Sequence, residues 1–194
     1  MADQATPAPR KPRADAARNR ELLLATAKTV FSAKGAAASL DEIAKSAGVG
    51  IGTLYRHFPT RDALIEQVYR HETTQLAEAA DRLSETHQPV EALRQRLNLF
   101  VDYFTTKHTM AAALSAASGG SAALFAFSTT LLSNAVTTLA TRAAQSGEMH
   151  LNISPLDLLR AISGIANLNA GPGWEKNARG VIDVLIAGMR APAP

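Results

Sequence analysis

Along most of this chain, apolar residues return every three or four positions, the spacing of helices with one buried face. Leu23, Leu24, Ala27, Val30 and Phe31 form the first such stripe, which stops at Lys34 and Gly35. Ser39 followed by Glu42 is a capping-box pair and predicts a helix from Leu40, with Ile43, Ala44 and Ala47 inward and Gly48 as its end. A short helix over Ile51–His57 then turns Leu54 toward the first, with Phe58 four residues on. Leu64, Val68, Leu76, Ala80 and Leu83 predict a long fourth helix from near Arg61 to about Glu85. Pro89 sits at a helix-opening position, and Leu93, Leu97, Val101 and Phe104 carry the fifth. Thr109–Ala117 makes a short sixth before Ser118-Gly119-Gly120, and Ser121–Gln145 a seventh closed by Gly147. Ser154-Pro155 caps an eighth, and Trp174–Met189 is a ninth after the Gly171-Pro172-Gly173 break. No alternating β-branched run suggests a strand. The predicted fold is all-α: an N-terminal three-helix head and a C-terminal helical bundle, about nine helices in all.

Residues 39–61 are the most informative part. A helix, a glycine corner reversing the chain within about three residues, and a second helix at this spacing make a helix-turn-helix. The second helix of that motif enters the DNA major groove. Its outward side here holds Thr53, Tyr55, Arg56 and His57. Arginine can pair bidentately with guanine, while hydroxyls and imidazole reach base edges or phosphates. The expected organisation is a basic arm over 1–13, a DNA-binding head over 14–62 and a helical domain over 63–194.

From Arg18 to about Tyr69 the chain resembles the DNA-binding domain of the tetracycline-repressor (TetR) family of bacterial transcriptional regulators. The resemblance runs through LLLATAKTVFSAKG, SLDEIAKSAGV and GTLYRHFPTRDALIEQV, with Gly52, Tyr55, His57, Phe58 and Arg61 at the family's signature positions. It implies that Tyr55 and His57 touch phosphates, that Thr53 and Arg56 lie nearest base edges, and that Arg61 clamps the DNA backbone. Ser39 and Gly50, at the starts of the two motif helices, complete the expected DNA-binding set. Gly50 departs from the serine that the family commonly has there.

The C-terminal part also resembles the regulatory domain of these repressors, which implies an effector pocket and a homodimer. Asn98, Asp102, Tyr103, His108 and Met110 are polar or adaptable residues on or beside apolar helices, and they are the candidates for orienting a ligand. Leu97, Val101, Phe104 and Phe127 are expected to supply apolar wall. The last two helices carry Leu159, Ile162 and Ala166, then Val181, Val184, Leu185 and Gly188, apolar over a wide arc that leaves a face for a second copy. Such a dimer sets two recognition helices one DNA turn apart, about 34–36 Å, on a pseudo-palindromic operator. The implied partners are double-stranded DNA, an unknown small-molecule effector and the chain itself.

Charge follows the same division. Of 194 residues, the first 70 hold eleven Lys and Arg against seven Asp and Glu, whereas the rest hold nine against ten, so the basic end is the motif end. The chain has no cysteine, which excludes disulfides and thiolate metal sites. Without an apolar signal core or a run of about eighteen apolar residues, a cytoplasmic protein with no membrane association is expected. Neither cofactor nor metal is implied. Gly48-Val49-Gly50-Ile51-Gly52 lacks the G-x-G-x-x-G spacing and follows a helix, so it is no dinucleotide loop. The five histidines show no metal-ligand spacing, and no nucleophile elbow occurs, which makes an enzyme the weakest reading. A DNA-binding protein without an effector stays open as the alternative.

Overall fold

The computed structural model describes residues 12–110, 114, 121–168, 171 and 173–190. Among them are eight α-helices: α1 (Pro12–Lys34), α2 (Leu40–Ser46), α3 (Ile51–His57), α4 (Arg61–Thr86), α5 (Pro89–Thr109), α6 (Ser121–Gln145), α7 (Pro155–Leu168) and α8 (Trp174–Met189). A 3-10 turn, Gly35–Ala37, follows α1. The fold is all-α, as predicted. Most of the helix expected over Thr109–Ala117, and the arm up to residue 11, lie outside the described residues.

The helix starts have identifiable local causes. Ser39 Oγ accepts the Glu42 amide at 3.1 Å, capping α2. The expected reciprocal half of that box is replaced, because the Glu42 carboxylate takes Lys34 Nζ at 2.5 Å, joining α2 to the end of α1. Thr60 Oγ1 accepts the Ala63 amide at 3.0 Å and opens α4, and proline stands in the first turn of α5. Gly48 has φ +67°, which a side chain would resist, and this lets α2 reverse into α3.

Two apolar cores result. The smaller one joins Leu23, Leu24 and Phe31 of α1 to Ile43 and Ala44 of α2, Leu54 of α3, and Phe58. It runs past residue 62, for Leu64, Ile65 and Val68 of α4 close it together with Met110 from just beyond α5. The larger core fills the space among α4–α8, with Leu93, Leu97, Val136, Leu139, Leu158, Ile162, Ala178 and Ile182 fully buried. The helix α4 contributes to both, a shared beam between head and body. One element departs from the sequence expectation: Leu124–Gln145 of α6 is long and apolar enough to cross a membrane. Here it contacts α4, α5 and α7, and its Val136, Leu139, Ala140 and Ala143 sit in the core.

Candidate DNA-binding face and ligand cavity

The short helix α3 is pinned by Leu54 and Phe58, both buried. With that side fixed, the helical period turns the others out. Tyr55 is 48% exposed, Arg56 is exposed, and Thr53 and His57 are half-buried. These four form one convex polar face. Gly50 stands at its N-terminal end, where it caps α3 with its backbone carbonyl alone, accepting from Thr53 N at 2.9 Å and Leu54 N at 3.2 Å.

The other two expected DNA residues are engaged within the head. The Ser39 hydroxyl is the α2 cap. The Arg61 guanidinium donates to the carbonyls of Ala38, Ala36 (3.0 Å) and Gly35 (3.4 Å), and lies 5.1 Å from the centre of the Phe31 ring. It ties the start of α4 to the α1–α2 connection.

The body holds a cavity of about 320 Å³. Its walls are Tyr69 of α4; Phe100, Tyr103, Phe104 and Lys107 of α5; Phe125, Ser128, Thr129, Leu132 and Ser133 of α6; and Leu156, Leu159, Arg160 and Ser163 of α7. One wall is a buried hydroxyl network: Ser128 Oγ is 2.8 Å from Tyr69 Oη, and Thr73 Oγ1 lies 3.2 Å from Tyr103 Oη. Burial pushes the Tyr103 phenol well above its ordinary value, so it stays neutral. Lys107 Nζ lies 5.1 Å from the Phe104 ring centre and 4.6 Å from that of Phe125, and burial lowers its pKa.

Of the expected ligand residues, Tyr103 and Phe104 line this cavity and the others do not. Leu97 and Val101 are core residues. Asn98 and Asp102 lie one turn apart on α5 and both accept from Arg179 of α8, at 3.2 and 2.5 Å, so they join helices outside the cavity. Met110 is in the core of the head, because α5 ends against that domain. Phe127 stacks under the Arg70 guanidinium at 4.9 Å, while its neighbour Phe125 reaches the cavity. His108 lies between the rings of Phe104 and Trp174. The missed signal was Phe100, Tyr103, Phe104 and Lys107 at i, i+3, i+4 and i+7, one stripe of α5.

The expected dimer residues divide as well. Ile162 and Ala166 are wholly buried inside the protomer, and Leu159 faces the cavity, so these three have no surface to offer a partner. Val184 is 71% exposed, Gly188 is exposed, and Val181 and Leu185 are half-buried. Leu168, at the end of α7, is 90% exposed and was not anticipated.

Comparison with known proteins bears on the fold and the family. Residues 23–68 match the bacterial regulatory proteins of the tetR family, and residues 88–191 match the C-terminal domain of SbtR-like transcriptional regulators. A TetR transcriptional regulator from Streptomyces coelicolor is 40% identical, with a TM-score of 0.79 over 90% of this chain and 99% of that one. A TetR regulatory protein from Mycobacterium vanbaalenii is 28% identical, with a TM-score of 0.78 over 93% of this chain and 100% of that one. An HTH-type transcriptional regulator from Staphylococcus aureus is 35% identical over 97 residues, 47% of this chain and 49% of that protein. The chain thus spans about half the length of that curated relative.

Proposed function

Because the chain belongs to the TetR family of bacterial transcriptional regulators, we propose that it binds a pseudo-palindromic operator as a homodimer and represses until a small molecule enters the cavity. The observation that carries this reading is the course of α4. At its start Arg61 is bonded to the head, and two turns on Tyr69 lines the cavity. Eight residues of helix separate the two by about 12 Å. A ligand that moves Tyr69 therefore moves the base of the head through one stiff element. The cavity speaks for an effector over constitutive DNA binding. The outer α8 face, Val181, Val184, Leu185 and Gly188, suits a second copy, and Leu168 at the end of α7 is a further exposed apolar side chain. In this reading the protein works in the cytoplasm, and α6 is a bundle helix.

Electrophoretic shifts on the DNA upstream of its own gene test the proposal. Binding is expected at low salt and should weaken steeply as salt rises, since Lys and Arg contacts release counterions. Arg56→Ala should cost about 1–3 kcal/mol and relax preference at one base position, whereas Tyr55→Phe should weaken all sequences alike. A true effector must both raise the melting temperature and weaken operator binding, because only differential affinity shifts the population. No shift at low salt would overturn the DNA reading, and a ligand that stabilises the dimer without loosening DNA would overturn the release step.

A further inference from the structure

The charged residues that line the cavity are of one sign. Its lining includes two cations, Lys107 and Arg160, and no carboxylate. Arg160 is already compensated, for its side chain is 68% exposed and pairs with Asp157 at 2.8 Å. Lys107 differs. Its ammonium lies over two aromatic rings, half-buried, and among the described residues no Asp or Glu pairs with it. Residues 111–120, which follow in sequence shortly after, contain no acidic side chain. One turn before Phe100 on α5, Arg96 is fully buried, and its Nε, Nη1 and Nη2 have no hydrogen-bond partner among the described residues. A buried guanidinium that no carboxylate among the described residues pairs with adds positive charge to the same helix, α5, that carries Lys107.

Such a site favours one ligand charge. An amine would meet like charge. A neutral ligand would leave the ammonium without an ionic partner. A carboxylate gains a charge-assisted hydrogen bond, about twice as strong as a neutral one, where water is partly excluded. The rest of the lining is neutral: hydroxyls of Tyr69, Tyr103, Ser128, Thr129, Ser133 and Ser163, and an apolar surface supplied by Phe100, Phe104, Phe125, Leu132, Leu156 and Leu159. We infer that the cavity takes a small organic anion, a carboxylate on an apolar body, with Lys107 as its counter-ion. This rests on the effector reading given above and narrows it to a ligand class. At about 320 Å³ the cavity is near the lower end of ligand pockets, which suits a body of short or medium length.

The test is a charge series on the full-length protein, read by calorimetry and by melting temperature. Decanoate and 4-phenylbutyrate are each compared with the alcohol and the amine of the same skeleton. The acids are expected to bind at least tenfold more tightly than their alcohols, and the amines weakest. Lys107→Met should cut acid affinity at least tenfold while leaving alcohol affinity within twofold, and Lys107→Arg should retain acid binding. Because Lys107 is part-exposed, both variants should fold, which circular dichroism checks. Alcohols binding as well as acids, or undiminished acid binding in Lys107→Met, would overturn the inference yet leave the effector reading standing. If no acid, alcohol or amine binds, both fall.

Discussion

The head and the body are built from the same helical period and turn it in opposite directions. In the head, α3 buries Leu54 and carries its polar groups outward on a seven-residue helix. In the body, α5 carries Tyr103 and Lys107 inward, onto a cavity closed by helices from three other parts of the chain. In the function proposed above, the reason is the shape of what each meets. A DNA groove is larger than the head and has to be entered by a convex edge, whereas a small molecule gains most where it is surrounded. The two arrangements differ in electrostatic cost. Around the body cavity, burial shifts the ionisation of Tyr103, Lys107 and nearby Arg96. The body therefore holds buried positive charge, which the anionic ligand inferred above would offset.

If the regions are energetically distinct, damage to one should stay there. Leu54→Ala removes a side chain that is wholly buried in the smaller core and should cost about 2–5 kcal/mol. Operator binding should vanish. Hydrogen exchange is expected to speed up in α2 and α3 while α6 and α8 remain protected. Equal acceleration in α6 would mean that the shared helix α4 welds the two cores into one cooperative unit, and the comparison would break.

The stored charge gives the next largest effect, and its sign is opposite. Burial lowers the Arg96 pKa from its ordinary value to about 10. Below about pH 10 both the folded and unfolded states are charged, and the folded state bears the whole desolvation cost. As pH rises from about 10 toward that ordinary value the folded form loses its proton first, so the penalty shrinks. At 1.36 kcal/mol per unit this is on the order of 3 kcal/mol near neutrality. Arg96→Met keeps the length of the stem and removes the charge, so it should stabilise the protein and raise its melting temperature by roughly 5–10 °C at fixed protomer concentration. The gain over wild type should narrow near pH 11. A destabilised Arg96→Met would show that the guanidinium has a partner in the folded protein.

The head was legible in the sequence because its determinants lie close together along the chain. Ser39 caps an amide three residues on, Gly48 sets the corner, and Leu54 and Phe58 lie one turn apart. Where the head relies on distant contacts, the reading missed: Arg61 meets carbonyls more than twenty residues back. In the body, periodicity yielded the helices but not the use of each stripe. Asn98 and Asp102 are polar and regularly spaced, as a ligand site would be, yet their partner Arg179 is 81 and 77 residues away. Apolarity likewise cannot tell inner from outer faces. Ile162 and Val184 are both aliphatic, and only packing makes one buried and the other 71% exposed. The stripe from Phe100 to Lys107 was within reach, since a lysine one turn beyond an aromatic cluster is an odd choice for a plain core.

The smallest effect sharpens the comparison at the recognition helix itself. Gly50 is the N-cap of α3 with φ −68° and ψ 145°, the extended conformation also found at the capped positions Ser39 and Thr60. A Cβ built there meets no atom within 4 Å. Serine therefore fits without strain, and its hydroxyl can accept the Thr53 amide three residues on, as Ser39 accepts that of Glu42. Gly50→Ser should stabilise the head by only a few tenths of a kcal/mol, about 1 °C in melting temperature. The effect on DNA should be easier to see. A hydroxyl at the leading end of α3 adds a hydrogen bond to phosphate, so affinity should rise modestly for all sequences. Because a neutral hydroxyl releases no counterion, the salt dependence of binding should keep its slope. A steeper slope would mean that the substitution had redirected a cation such as Arg56 onto the backbone. A loss of affinity would mean that the operator needs the close approach that glycine allows.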